Sequence, residues 1–125
     1  MNDEKLAQFA NQKYLNLETY KKSGQGVQTP VWFAENKGLF YIYSLANAGK
    51  VKRIRNNPKV KIAPCDFRGK LKGVWIEAKA RMGEGDESEL AHRLLNKKYG
   101  LMKRIGNFVS KLRKRKNVVI VVQVD

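Results

Sequence analysis

Ser44, Lys50 and Arg53 have the types and spacing of an anion-binding set. The run Ser44-Leu-Ala-Asn-Ala-Gly49-Lys50-Val-Lys-Arg53-Ile-Arg-Asn-Asn-Pro58 reads as a strand end, a small-residue turn and the first turns of a helix. A helix start offers unpaired backbone N–H groups and the positive end of the macrodipole, so a hydroxyl and cations placed there suit a phosphate. At helical spacing Val51 and Ile54 form a core-facing stripe, flanked by Lys50 and Arg53 on one side and Lys52 and Arg55 on the other. Pro58 keeps this helix short.

Other chemistry is sparse. The sequence has no His and carboxylate pair in a recognisable spacing, no metal-ligand cluster and no Walker loop, and Gly24-x-Gly26 lacks the third glycine of a dinucleotide fingerprint. His92 falls inside a polar helical stretch, where an exposed or capping role is simpler than that of a base. Cys65, within Ala63-Pro64-Cys65-Asp66, reads as a small buried residue rather than a nucleophile. No catalytic side chain and no metal ligand is therefore assigned. If the chain is an enzyme, a bound cofactor must carry the chemistry.

The net charge of +15 favours anionic partners. It is uneven: nine of the 26 basic residues lie between Lys50 and Lys72, with Asp66 the single acid among them. A length of 125 residues with 42% hydrophobic composition is most simply one domain spanning residues 1–125. One cysteine excludes an internal disulfide, and one histidine leaves too few soft ligands for an ordinary zinc site. A charged start and the absence of any long apolar run predict no targeting segment, no membrane span and a cytoplasmic location.

The elements that must position Ser44 and Lys50 follow from periodicity. A short amphipathic helix carrying Leu6, Phe9 and Ala10 opens the chain. Residues 14–20 then alternate, with Leu15, Leu17 and Thr19 on one face and Tyr14, Asn16, Glu18 and Tyr20 on the other. Turns at residues 23–26 and 35–38 lead to strands over 27–34 and 39–44, an antiparallel meander. Strands over 59–67 and 72–82 follow, joined at Arg68-Gly69-Lys70. Asp86 with Glu89 resembles a capping box for a helix running to Tyr99 and ended by Gly100. Leu101, Ile105, Phe108 and Leu112 mark another helix, the basic run from Lys111 to Lys116 follows, and residues 118–124 close the chain as a strand. Six strands without βα alternation predict an antiparallel barrel.

The ordered blocks Gly26-Val-Gln-Thr-Pro-Val-Trp-Phe33, Leu39-Phe-Tyr-Ile-Tyr-Ser44, Gly49-Lys-Val-Lys-Arg-Ile-Arg-Asn-Asn-Pro58, Ala63-Pro-Cys-Asp-Phe-Arg-Gly69 and Ile76-Glu-Ala-Lys-Ala-Arg81 resemble the pyridoxamine-phosphate-oxidase-related split β-barrel proteins. Within them the chain is most similar to the small enzymes dependent on the deazaflavin coenzyme F-420. The resemblance covers roughly residues 14 to 124. It implies a mainly β, α+β fold: a six-stranded antiparallel Greek-key split β-barrel with peripheral helices. It also implies a homodimer whose two sites each bind FMN or coenzyme F-420 at the interface. Carried over by position, Gln28, Thr29, Pro30 and Val31 line the ring system, Tyr43 and Ser44 follow at the phosphate end, Lys50 is the phosphate cation beside Gly49, and Lys72 and Gly73 contact the ring from a later strand. Arg53 joins them through the helix face it shares with Lys50.

Two departures refine the expectation. The oxidase branch commonly has an arginine where this chain has Gly49, and a glutamine where it has Gly73. Classical pyridoxamine phosphate oxidase activity is therefore not expected. The resemblance implies instead hydride transfer between a bound flavin or deazaflavin and a small organic substrate. The oligoglutamate tail of F-420 would give Lys52, Arg55 and Lys59 a use. Two other readings compete: a basic nucleic-acid-binding module, for which no helix-turn-helix, RNP-type or zinc pattern appears, and a flavin-binding carrier or sensor without turnover.

Overall fold

The computed structural model describes residues 3–99 and 117–125. The helix expected around Leu101 to Leu112, the Gly100 stop and the Lys111 to Lys116 run lie outside them. The order is α1 (Asp3–Ala7), β1 (Tyr14–Tyr20), β2 (Gly26–Val31), β3 (Ala34–Asn36), β4 (Leu39–Leu45), α2 (Gly49–Asn56), β5 (Lys59–Cys65), β6 (Ile76–Met82), α3 (Glu87–Tyr99) and β7 (Asn117–Val124).

All the strands form one antiparallel sheet in the order β2-β1-β5-β6-β7-β4-β3. The strand expected over residues 27–34 ends at Val31, and a separate short strand takes in Ala34 together with Glu35 and Asn36 of the expected turn, which makes seven strands among the described residues in place of six. β2 and β3 stand at opposite edges of the sheet: β2 pairs with β1, and β3 pairs with β4. From Val31 to Ala34 is three residues, a reach of at most about 11 Å, so the sheet must curl until its edges approach. The result is a curled half-barrel rather than a flat meander, because β1 pairs with β5 and β7 with β4, neighbours that are not consecutive in the chain.

The alternation of β1 shows why the sheet curls inward. Leu15 and Leu17 face a core shared with Phe9, Phe33, Phe40, Ile42, Val51, Ile54, Ile62, Ile120 and Val122. On the outer face, α3 covers Tyr41, Val119 and Val121 with Ala91, Leu90 and Leu94. Its start is locked by Glu87 rather than by the expected Asp86 and Glu89 pair. The Glu87 carboxylate accepts the Glu84 N–H at 2.8 Å and takes both Arg81 terminal nitrogens at 2.7 and 2.8 Å, which holds its pKa down at about 2. The end of α3 reaches the strand switch. The buried Tyr99 hydroxyl accepts the Phe33 N–H at 3.2 Å and has one proton to give, either to Lys13 O at 2.7 Å or to Phe33 O at 2.9 Å. Burial drives that phenol's pKa up. Lys98 donates to the same Phe33 carbonyl at 2.9 Å, with its ammonium 3.5 Å from the Phe33 ring centroid.

Strand β6 starts at Ile76, later than the expected residue 72, because Lys72 to Trp75 is irregular. That segment is fastened to the opening helical turn. Gln8 donates through Nε2 to Val74 O at 3.0 Å and accepts the Val74 N–H on Oε1 at 2.9 Å.

Candidate functional site

Helix α2 enters as the sequence requires. Its first turn contains no acid, and Ala48 at the N-cap gives no side-chain hydrogen bond, so the first N–H groups have no side-chain acceptor. Val51 and Ile54 are buried in the core, and Asn57 closes the helix with its N–H on Arg53 O at 2.8 Å, just before Pro58. Burying one stripe fixes the helix rotation, which leaves Lys50 and Arg53 together on one shoulder.

Arg53 turns back toward the helix start. Its Nε donates to Thr19 Oγ1 at 2.6 Å, and its Nη1 lies 2.8 Å from where a Cβ on Gly49 would stand. The guanidinium thus occupies the space that any side chain at position 49 would claim. Lys50 is half-buried, and its pKa is lowered first by burial and second by the Arg53 charge. Neither cation has a carboxylate within ion-pair distance, the one such pair among the described residues being Arg81 with Glu87. Two neighbouring cations without a counter-charge, beside uncapped N–H groups, form a cradle for an anion.

The other expected residues divide. Ser44 is buried on the core side of β4, at the strand end leading into α2, and donates to Leu45 O at 3.1 Å. Tyr43 points to the opposite face, its hydroxyl on Ser88 O of α3 at 3.0 Å. The two side chains therefore do not share a site, as strand alternation demands. Gln28 and Pro30 lie opposite Glu18 and Asn16, and Thr29 and Val31 opposite Leu17 and Leu15. Among the described residues β2 pairs only with β1, which leaves one backbone edge for another partner. Lys72 is exposed and its N–H bonds Pro64 O at 2.8 Å. Gly73 sits beneath the Gln8 carboxamide and Pro64, whose Cγ is 2.7 Å from a Cβ built there. Packing alone thus accounts for a glycine at position 73.

Thr19, Gln8 and Asn16 were not singled out by their sequence. Thr19 carried a signal, since a hydroxyl on the apolar face of an alternating strand needs a buried partner. Asn16 is buried, donates through Nδ2 to Gly69 O at 3.1 Å and leaves Oδ1 without a partner among the described residues.

These features define a mainly β protein built as a curled antiparallel half-barrel with a basic cradle at one helix entrance. The family model described as pyridoxamine 5'-phosphate oxidase matches residues 1–125, and the chain belongs to that family. No curated protein sequence matches. Among solved structures, the heme-storage protein HutZ from Vibrio cholerae superposes with a TM-score of 0.70 at 20% identity, covering 98% of this chain and 89% of that one. A FAD-binding protein from Mesorhizobium loti gives 0.69 at 16% identity, covering 98% and 86%. The conserved hypothetical protein Rv2991 from Mycobacterium tuberculosis gives 0.71 at 22% identity, covering 99% and 81%. At these identities the likeness establishes the fold. Among the described residues no helix is long and apolar enough to cross a membrane.

Proposed function

We propose that this protein is an oxidoreductase that holds FMN or the deazaflavin coenzyme F-420 by its phosphate and moves a hydride between that ring and a small organic substrate. The observation that carries the reading is the Lys50–Arg53 pair at the uncapped start of α2, with Gly49 leaving room for the guanidinium. Where the resemblance to the oxidase branch implies that an arginine is common, this chain has Gly49, and Arg53 brings a guanidinium to that space from one helical turn later. Lys50 and Arg53 would hold the phosphate dianion, the α2 N–H groups would complete its hydrogen bonds, and the unpaired edge of β2 would meet the ring system. When bound, the ring supplies hydride donation and acceptance. The chain's own groups contribute position, polarity and water exclusion.

The surplus charge favours the deazaflavin. Lys59 lines a cleft of about 400 Å³ with Lys61 and Lys79, three lysines against the carboxylates Glu77 and Asp125, and the cleft reaches Asn57 at the far end of α2. A polyanionic tail running along α2, about 12 Å long, would meet Lys52 and Arg55 on the way. A homodimer would supply the second wall. Its support is the loop between β5 and β6, which exposes Phe67 (64%), Leu71 (41%) and Val74 (59%) together. The absorption spectrum of the purified protein, followed by titration with FMN and with F-420, tests the reading. Tight binding of either, with turnover of the reduced form by an organic acceptor, supports it. Binding without turnover would favour a carrier, and binding of neither would end the proposal.

A further inference from the structure

We propose that Thr19 is the positioning residue of the phosphate cradle: its buried hydroxyl aims Arg53 at the start of α2. This rests on the phosphate reading above and adds a residue on a different element, β1. Thr19 is 1% exposed, on the same strand face as Leu15 and Leu17, and its Oγ1 accepts the Arg53 Nε–H at 2.6 Å. That bond has a charged donor and is buried at its acceptor end, the setting in which a hydrogen bond is strongest.

A guanidinium has one Nε–H and four terminal N–H groups. With Nε committed to the barrel wall, the terminal nitrogens are turned to Gly49, Nη1 at 2.8 Å and Nη2 at 3.7 Å from a Cβ built there. They are left in the planar fork that matches a phosphate. Without Thr19 this arrangement has little to maintain it. The neighbouring charge on Lys50 repels Arg53, Gly49 offers no side chain to lean on, and a free arginine samples many rotamers in solvent. Thr19 therefore sets the aim before any ligand arrives, which is the preorganisation that lowers the cost of binding.

The test is a set of titrations with FMN and riboflavin into wild type, Thr19→Val, Thr19→Ser, Arg53→Ala and the Thr19→Val/Arg53→Ala double variant. Valine keeps the β-branched shape in a strand, and thermal melts check that each variant is folded. The expected result is an FMN dissociation constant raised on the order of tenfold in Thr19→Val, with riboflavin unchanged, near-complete rescue by serine, and no added loss in the double variant. Equal weakening of both ligands, or full additivity with Arg53→Ala, would overturn the positioning role.

A second readout needs no ligand. The Arg53 Nε–H resonance should exchange slowly in wild type and Thr19→Ser and rapidly in Thr19→Val. Rapid exchange in wild type overturns the proposal. Slow exchange in a wild type that does not prefer FMN over riboflavin would sustain Thr19 as the holder of Arg53 while removing the phosphate reading.

Discussion

Arg53 stands in the place of a side chain on Gly49: its Nη1 is 2.8 Å from the Cβ position of that glycine, while its Nε is tied to Thr19. Gly49→Ala should therefore push the guanidinium out of the cradle. The displaced atoms are the far end of a flexible side chain, so the fold should tolerate the change, and removing a helix glycine gains up to about 1 kcal/mol. The expected outcome is an unchanged or slightly raised melting temperature together with weaker FMN binding. Parallel melting and titration curves check the separation.

The Tyr99 hydroxyl joins α3 to the Phe33 backbone at the point where the chain changes sheet edge. Tyr99→Phe leaves the buried Phe33 N–H without that acceptor. An unpaired buried group costs about 1–3 kcal/mol, and denaturant unfolding should show a loss of that size. A loss below about 0.5 kcal/mol would mean that the hydroxyl does not fasten the crossing.

Gly73→Ala places a Cβ against Pro64 and the Gln8 carboxamide. Gln8 can move, but moving breaks its two hydrogen bonds to Val74. A loss of about 1–2 kcal/mol is expected from the two net hydrogen-bond contributions. Gln8→Ala, which also releases Val74, should remove the part of the Gly73→Ala effect that runs through Gln8 and leave the part due to the Pro64 ring, so the two losses should be less than additive when combined.

Acid should act on the α3 entrance. Glu87 has its pKa held down at about 2 by Arg81, with the Glu84 N–H assisting, against an ordinary 4.5. A lowered carboxylate pKa means that the unfolded chain binds the proton first. The stabilisation is thus complete above about pH 4.5 and is lost as pH falls toward 2. The pair is solvent-exposed, so screening limits it to about 1 kcal/mol or less. Glu87→Gln should be less stable than wild type at pH 7 by that amount and equal to it near pH 2, in unfolding curves across this range.

Local periodicity reveals the elements of this fold more readily than their pairing. Val51 and Ile54 declare the buried stripe of α2, Pro58 its end, and alternation from Tyr14 to Tyr20 declares β1. The break at Trp32 and Phe33 has no such mark, because residues 27–34 stay extended in character while the chain leaves one edge for the other. Which strand pairs with which depends on distant partners. The cradle shows the same division: Gly49, Lys50 and Arg53 lie within one pentapeptide, whereas Thr19 comes from 34 residues before Arg53. Strand alternation also separates Tyr43 from Ser44, two neighbours in sequence on opposite faces of the sheet.

The most direct test of the phosphate cradle is Lys50→Ala, titrated with FMN and with riboflavin. Lys50 is half-buried beside Arg53 with no carboxylate partner, and its removal opens no core cavity. A charge-assisted hydrogen bond is worth about 1.5–3 kcal/mol, so the FMN dissociation constant should rise on the order of tenfold to a hundredfold. Riboflavin, which has no phosphate, should bind wild type and variant alike. Equal effects on both ligands, or none on either, would contradict a phosphate site at the start of α2.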